Sequence, residues 1–245
     1  MGQKGGAADV VIAAAGQGKR VGAGHNKLLL ELGGRTVLEH TLEVFRTHPC
    51  IRHIWLVVAP QDREAIATLT AGMKVRLVDG GARRQDSVNC ALSQLQQADP
   101  PSHVLIQDGA RPFTTHGLID CILEACFAHG AAMPGIPLAD TIRRVREDAT
   151  EVIDRSELLA VQTPQGFRLD WLWEASQQAQ VRDWSVTDDA SLLENAGRRV
   201  QCVPGEPDNR KLTTPEDFEW AQLKLALPLS AALSSGSKIP LTLHA

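Results

Sequence analysis

The sequence predicts an α/β fold, with a Rossmann-like, mostly parallel sheet flanked by helices and a protruding β-arm. Short apolar runs alternate with amphipathic stretches as far as Ile136, which is typical of βαβ units. Glycine-rich or charged loops directly follow three of these runs, and ligands of open parallel sheets bind beyond the carboxyl ends of the strands. A chain of 245 residues is long enough to bury the core that such a sheet needs.

Five apolar runs are the predicted strands, at residues 10–15, 53–59, 74–79, 103–108 and 131–136. Amphipathic helices are expected between them, and Thr115 is the expected N-cap of the third. Their apolar faces are Val37, Leu38, Thr41, Leu42 and Phe45; Val88, Ala91, Leu92 and Leu95; and Leu118, Ile119, Ile122, Leu123 and Cys126.

The pattern changes after Ile136. Residues 137–155 are charged and β-branched around a polar turn, which predicts a protruding two-stranded arm. Two helices are expected at 170–179 and 188–196, the second stopped by Gly197, and one more strand at 200–203.

The predicted last helix has a strong start signal. Thr214 is the expected N-cap, Pro215 takes the first helical position and Asp217 the third, and the helix runs to about Leu227. Because residues 228–245 are rich in Ser, Ala and Pro, we expect one domain over residues 1–227 and a flexible tail over 228–245.

Composition excludes several classes of protein. A net charge of −4 argues against a general nucleic-acid binder, so any positive charge that function needs must be local. Five cysteines without CxxC spacing indicate reduced thiols in a cytoplasmic protein, and eight scattered histidines argue against a His-ligated metal. The first apolar run is too short for a signal sequence or a membrane span, so we expect a soluble protein.

The loop after the first strand reads AAGQGKRVGAGHNK, from Ala14 to Lys27. Gly16 and Gly18 would let backbone N–H groups approach a ligand closely, while Lys19, Arg20 and Lys27 match a polyphosphate. A plain turn or a solvated basic loop remains an alternative.

Two other phosphate-binding classes fit the first loop poorly. The Walker pattern is absent, since no Gly-Lys-Ser/Thr follows at the required spacing. A dinucleotide site would need an acidic residue at the end of the second strand. That strand ends without one, and the only acid near it is Asp62.

Two further loops carry candidate ligand groups. Gly81 and Ser87 belong to the run DGGARRQDS, which is either an ordinary turn or a platform on which a base lies against backbone. Asp108 could cap a helix or hold a divalent cation, and Arg111 could fork onto a phosphate.

Seven segments in order resemble one family. They are AAGQGKRV with NK, DGGARRQDSV, QDGARP, DTIRR, DRSELLAVQTPQGF, TDDASLLE and DNRKLTTPED, and they span about Val10 to Leu227. As a set they resemble the 2-C-methyl-D-erythritol 4-phosphate cytidylyltransferases, nucleotidyltransferases that transfer CMP from CTP to that polyol phosphate in the non-mevalonate isoprenoid pathway.

The resemblance implies a role for each matching residue. The catalytic pair would be Arg20 and Lys27, and Asp108 would place Mg²⁺. Residues of the first loop would hold CTP through its phosphates, and those of the second through its base and ribose: Ala14, Ala15, Gly16 and Gly18, then Gly81, Ala82 and Ser87. The polyol phosphate would be bound by Arg111, Thr141, Arg155, Thr163, Thr187 and Lys211.

Two positions depart from the family pattern. Asn26 stands where proline commonly precedes the lysine, and Gly109 stands where alanine is usual, so we expect both loops to be somewhat looser.

Three of the carried-over residues have plain alternatives as well. Thr187 could be an N-cap, Lys211 a solvated charge and Arg155 a surface ion-pair partner of Asp154 or Glu157. Trp171 and Trp173 are expected to pack rather than to stack on a base.

The resemblance also implies a mechanism and a partner. The substrate phosphate, whose second pKa is about 6, can attack the α-phosphorus of CTP without a general base. A lone two-stranded arm is only marginally stable, so we expect it to pack on a second subunit in a homodimer with shared active sites. The alternatives are transfer to another polyol phosphate such as ribitol 5-phosphate, a non-catalytic nucleotide-binding module, and a nicotinamide-dependent oxidoreductase.

Overall fold

A mixed sheet forms the centre of the protein. The computed structural model describes residues 6–16 and 26–227, and the fold is given for these. The strands of this sheet run in the order β10-β7-β11-β6-β1-β4-β5, and β12 also pairs with β7. They are β1 Ala8–Ala13, β4 Ile51–Val58, β5 Val75–Asp79, β6 His103–Asp108, β7 Ala131–Pro137, β10 Leu159–Val161, β11 Gln165–Arg168 and β12 Gln201–Pro204.

All five strands predicted before residue 137 are present, within two residues at each end. Strands β6, β1, β4 and β5 are parallel neighbours, which confirms the predicted Rossmann-like sheet. Because β1 ends at Ala13, Ala14 and Ala15 belong to the loop that leaves the sheet.

The sequence analysis missed the strands β10 and β11, and with them an antiparallel insertion. Strand β11 lies between β6 and β7 and is antiparallel to both. At Gly166 in β11, a Cβ atom would lie 2.8 Å from Cγ2 of Ile122 in the covering helix. Only glycine fits this close approach of strand and helix.

Helices cover both faces of the sheet. The predicted apolar faces are buried in the helices at Val37–Thr47, Arg84–Gln97 and His116–His129. Thr115 caps the last of these three, as expected. A helix at Arg63–Leu69 was not predicted. The helices are α1 Val37–Thr47, α2 Arg63–Leu69, α3 Arg84–Gln97, α4 His116–His129, α5 Leu169–Arg182, α6 Asp189–Asn195 and α7 Pro215–Ala226.

Side chains along β1 point alternately to the two faces of the sheet, and each face has its own apolar cluster. Val10 and Ile12 belong to the apolar cluster under α1 and α4, while Val11 belongs to the cluster under α3 and α5. Trp171 and Trp173 pack against the second cluster, as expected. Burial on both faces explains why β1 reads as an uninterrupted apolar run.

The predicted arm at residues 137–155 contains a separate two-stranded hairpin, while Pro137 itself still belongs to β7. The strands of the hairpin are β8 Ile142–Val145 and β9 Thr150–Ile153, antiparallel and outside the main sheet. Val145 is 77% exposed and Val152 56% exposed. A further hairpin joins β2 Glu31–Leu32 to β3 Arg35–Thr36.

The predicted helix signals in the last third of the described chain are largely confirmed. Thr214 and Asp217 form a capping box at the start of α7, and Gly197 follows α6 with a φ of +79°. The alternative role of Thr187 as N-cap is wrong, because Asp188 caps α6 by accepting a hydrogen bond from Ser191 N. The tail at 228–245 lies outside the described residues.

Candidate active site

The loops that follow β1, β4, β5 and β6 enclose a cleft of about 800 Å³ at the carboxyl edge of the sheet. The segment that precedes α7 closes its remaining side with Lys211 and Thr213. The cleft brings together eight of the residues predicted for the site: Ala15, Gly16, Lys27, Gly81, Ala82, Ser87, Asp108 and Lys211. Ala14 is buried beside it.

Three cations surround the carboxylate of Asp108 in this cleft. Lys211 Nζ lies 2.9 Å from Oδ2, Arg84 Nε lies 3.2 Å from Oδ1, and Arg111 Nε lies 3.5 Å from Oδ2. Burial alone would raise the pKa of Asp108, but the three positive charges outweigh it and hold the pKa well below its usual value. Asp108 is therefore ionised at neutral pH, and Lys211 is not simply a solvated charge.

Arg84 is a site residue that the sequence analysis missed. Its Nη1 lies 2.7 Å from Oδ2 of Asp189, so one guanidinium bridges two carboxylates. Burial would lower the pKa of Arg84, but the negative charges of Asp189 and Asp108 outweigh burial and raise the pKa above its usual value. Its neighbour Arg83, the extended residue before α3, also lines the cleft but pairs with Asp86 rather than with Asp108 or Asp189. Which of the two adjacent arginines reaches these buried carboxylates depends on packing that the sequence does not show.

The second loop lies tightly against the first turn of α3. Ser87 Oγ accepts a hydrogen bond from Gly81 N at 3.1 Å. A Cβ on Gly81 would lie 2.6 Å from Cβ of Asp86, and one on Gly80 would lie 2.7 Å from Cβ of Ala15. Two adjacent positions therefore exclude side chains, and at Gly81 this leaves bare backbone in the lining of the cleft.

Lys27 enters the cleft from the 3₁₀-helix Lys27–Leu29. Its Nζ donates a hydrogen bond of 2.7 Å to the carbonyl of Leu212, one residue beyond Lys211. The end of the first loop and the segment before α7 are thus in direct contact. Gly18, Lys19 and Arg20 lie outside the described residues.

A buried polar network supports Asp108 from behind. Thr163 Oγ1 accepts a hydrogen bond from Asp108 N at 3.0 Å and donates one to Gln107 Oε1 at 2.8 Å. Arg111 Nη1 donates to the carbonyl of Asn209 at 2.7 Å. Thr163 and Arg111 are therefore bound to other parts of the protein, and neither lines the cleft.

Asn209 connects these parts and is a second residue that sequence reasoning missed. It is fully buried; Nδ2 donates to the carbonyl of Thr163 at 2.8 Å, and Oδ1 accepts from Thr114 Oγ1 at 2.9 Å. The DNRK segment contained the signal, because a polar amide two residues before a site lysine suggests an internal contact.

The third loop is packed closely, so the expectation that Gly109 loosens it is not met. A Cβ on Gly109 would lie 3.0 Å from Cδ1 of Leu28 and 3.1 Å from the carbonyl oxygen of Ala13. The carbonyl of Gly109 also accepts a 2.9 Å hydrogen bond from Thr41 Oγ1. Glycine here allows loop and sheet to approach each other.

Three predicted residues are not part of the cleft lining in this chain. Thr141, Arg155 and Thr187 are exposed and do not line it. Arg155 donates a hydrogen bond to the carbonyl of Ala139, within the arm. Their predicted contact with the polyol phosphate therefore stays a prediction.

The described residues include no cluster of three or more His, Cys, Asp or Glu side chains that could hold a metal ion. No helix among them is both long and apolar enough to span a membrane. All five cysteines are free thiols.

A mostly parallel sheet with a glycine-lined, cationic cleft at its carboxyl edge defines the class: a Rossmann-like α/β protein suited to a phosphorylated ligand. The family model for 2-C-methyl-D-erythritol 4-phosphate cytidylyltransferase matches residues 8–226. The chain therefore belongs to this family of nucleotidyltransferases, as the resemblance implied.

Relatives and solved structures agree with this assignment. A Bacillus velezensis protein with that same name is 46% identical over 219 residues, which are 87% of this chain and 93% of the relative. One from Halalkalibacterium halodurans is 44% identical over 89% of this chain and 96% of the relative. The crystal structure of the Thermus thermophilus enzyme is 33% identical with a TM-score of 0.75, covering 89% of this chain and 98% of that one.

Proposed function

We propose that this chain transfers CMP from CTP to 2-C-methyl-D-erythritol 4-phosphate in the cleft around Asp108, giving 4-diphosphocytidyl-2-C-methyl-D-erythritol and pyrophosphate. The observation that supports it most is the excess of positive charge: Arg84, Arg111 and Lys211 face two carboxylates, Asp108 and Asp189. An anionic ligand compensates such an excess. Membership of the cytidylyltransferase family supplies the identity of that ligand.

The reaction needs alignment and charge neutralisation rather than a general base. An oxygen of the substrate phosphate forms a bond to the α-phosphorus of CTP, and the bond from that phosphorus to the β-phosphate bridging oxygen breaks, releasing pyrophosphate. The nucleophile is already anionic at neutral pH. Arg20 and Lys27 are proposed to meet the charge that develops on the phosphoryl oxygens.

Asp108 is suited to hold Mg²⁺ together with substrate phosphates. Mg²⁺ commonly binds through one or two carboxylates plus phosphate oxygens and water, and not in a cage built by the protein alone. A single ionised carboxylate at a cationic cleft fits that donor set, and it fits the lack of a larger cluster in the described chain. The ion would supply additional positive charge against the phosphate oxygens.

The bare backbone of the second loop supports a role in base recognition. Gly81, Ala82 and Ser87 line the cleft, and backbone groups can read the edge of a cytosine by hydrogen bonds. The polyol phosphate is proposed to contact Lys211, which lines the cleft, and the contact predicted for Arg111, which does not line it, stays a prediction. Reduced thiols and the proposed substrates suit a cytoplasmic enzyme.

A homodimer with shared active sites would complete the polyol phosphate site. Thr141 and Arg155 lie on or beside the exposed arm and do not line the cleft of their own chain. Packing of the exposed apolar residues Val145 and Val152 on a partner would bring the arm against the partner's surface. We therefore propose that each arm supplies these two side chains to the other subunit's site.

Pyrophosphate release tests the reaction. The protein is incubated with Mg²⁺, each nucleoside triphosphate in turn, and either methylerythritol 4-phosphate or ribitol 5-phosphate. Release is expected with CTP and methylerythritol 4-phosphate, and it should stop when EDTA removes the metal. Release with ribitol 5-phosphate alone would change the substrate, and no release with any pair would favour a non-catalytic binder.

Subunit mixing tests the shared site. Lys27→Ala and Arg155→Ala homodimers, each expected to retain only about 1% or less of the activity, are mixed and allowed to exchange. Random exchange makes about half of the dimers mixed, and about a quarter of all sites should regain both intact residues. A mixture that stays inactive after proven exchange would contradict the shared site.

A further inference from the structure

The side chain of Asn26, directly before Lys27, makes three hydrogen bonds. Its Oδ1 accepts from Leu28 N at 3.1 Å, while Nδ2 donates to Asp62 Oδ2 at 2.9 Å and to the carbonyl of Ala14 at 3.3 Å. Asn26 is only 5% exposed. Reversing the amide would set its oxygen against a carboxylate and a carbonyl, so the partners fix its orientation.

This one amide joins three separate segments. Ala14 leaves the end of β1, and Asn26 lies twelve positions later at the far end of the first loop. Asp62 belongs to the 3₁₀-helix Pro60–Asp62, which follows β4 and whose first two residues line the cleft. The Asn26 side chain therefore closes the base of the first loop and ties it to the neighbouring wall.

The backbone at Asn26 already has the conformation of a proline. Its φ is −63° and its ψ is 116°, and a proline ring fixes φ near −65°. The expectation that losing the family's usual proline loosens the chain is therefore not met at this residue. Hydrogen bonds to Leu28 N, Asp62 and Ala14 provide the restraint that a ring would otherwise give.

We propose that Asn26 is a positioning residue that aims Lys27 into the cleft, with Asp62 as its anchor. Lys27 is the next residue and begins the 3₁₀-helix whose backbone Asn26 caps. A catalytic group displaced by about 1 Å can lose about 100-fold in rate. The inference rests on the proposed function, since it assigns Asn26 a role in that same transfer.

Exchanging the donor and the acceptor between Asn26 and Asp62 tests their hydrogen bond. Asn26→Asp keeps the acceptor for Leu28 N but sets a second carboxylate against Asp62, so kcat should fall about 10- to 100-fold. Asp62→Asn should lose less, because its amide oxygen can still accept. The double variant restores one donor and one acceptor and should regain about tenfold over Asn26→Asp. The control Glu64→Gln, an exposed carboxylate in α2, should leave kcat unchanged.

A second background tests whether Asn26 acts through Lys27. Asn26→Ala should lower kcat about tenfold in the wild type but less than about threefold when Lys27→Ala is already present. KM for methylerythritol 4-phosphate should hardly change in either case. Thermal melting establishes that each variant is folded.

The outcomes separate the two proposals. No turnover by the wild type would overturn the proposed function itself. Normal turnover by Asn26→Ala, a double variant no better than Asn26→Asp, or equal losses in both backgrounds would each overturn the role of Asn26 while leaving the function intact.

Discussion

Two buried aspartates lie at opposite ends of neighbouring strands and have opposite surroundings. Asp9 lies near the start of β1 and Asp108 at the end of β6, and these strands are parallel partners. Asp9 is 0% exposed and accepts hydrogen bonds from Trp55 Nε1 at 3.0 Å and Arg52 Nε at 3.1 Å. Asp108 is 7% exposed, faces three cations and opens into the cleft.

The difference lies in the balance of charge. Near Asp9, Arg52 is shared with a second acid, Asp99, and the other basic neighbour is His53, whose Nδ1 lies 3.4 Å from Asp9 Oδ1, so positive charge is not in excess there. Around Asp108 the cations outnumber the acids, and they do so beside open space. A buried carboxylate that is bound by a neutral donor and a shared arginine contributes to the stability of the fold. Surplus cations at the carboxyl edge of the sheet are instead available to bind an anionic ligand.

Replacing Asp108 should have the largest effect on activity. Asp108→Asn removes the negative charge that orders the three cations and is proposed to hold Mg²⁺, so kcat should fall about 10²- to 10³-fold. Pyrophosphate release measures it. Asp79→Asn, at the exposed end of β5 and outside the cleft lining, is the matched control and should keep kcat.

Replacing Asn209 should affect both activity and stability. Asn209→Ala removes the buried donor to the carbonyl of Thr163 and one of the hydrogen bonds of Thr114 Oγ1, which should lower the free energy of unfolding by about 2 kcal/mol. Because Thr163 supports Asp108, kcat should also fall about tenfold. Urea denaturation and steady-state kinetics measure the two effects, with exposed Asn195→Ala as control. Unchanged kcat would limit Asn209 to the fold.

Replacing Asp9 should separate fold from function. Asp9→Asn loses charge-assisted hydrogen bonds from Trp55 and Arg52, so the free energy of unfolding should fall by about 2 kcal/mol while kcat stays within about twofold. The control Asp99→Asn removes the exposed partner of the same arginine and should cost less than about 1 kcal/mol. A large loss of kcat in Asp9→Asn would remove the distinction between the two aspartates.

The smallest effect is the pH dependence of stability at Asp108. Its pKa in the folded protein lies well below the unfolded value of about 3.9. The stability from its ionised form is therefore fully present above about pH 5 and is lost as pH falls below about 4. The difference in unfolding free energy between wild type and Asp108→Asn should be constant from about pH 6 to 8 and shrink in acid.

Strand and helix periodicity predicted those elements whose burial in the structure follows from the local sequence pattern. Val10 to Ala13 read as a strand because they are buried on both faces, and Thr214 to Asp217 read as a helix start because the cap is local. Strands β10 and β11 were missed because Gln165 and Gly166 carry no strand signal of their own. Tertiary pairing with β6 and β7 decides their structure.

The site was predictable as a set of loops but not as a set of contacts. Asp108, Gly81 and Lys27 could be predicted because they lie at or after the ends of strands, and the carboxyl ends of parallel strands meet at one edge of the sheet. The inward turn of Arg84 and the buried contacts of Asn209 depend on packing between segments far apart in sequence. The hydrogen bonds of Asn26 were not predicted, because a missing proline says nothing of the contacts that replace it.

The position of β11 has a consequence for how the protein is made. Strands β6 and β7 follow each other along the chain, yet they pair through β11, which is synthesised after both. At about 5–20 residues per second, a growing chain waits about 3 to 12 seconds between completing Asp108 and completing Arg168. Once Pro137 has been made, β6 and β7 present facing edges that can capture another nascent chain until β11 pairs with both. The arrival of β11 joins β6 to β7 and follows closely on Thr163, which contacts Asp108, so the two halves of the sheet are joined and the site gains this support in the same stage of synthesis, before β12 adds to β7.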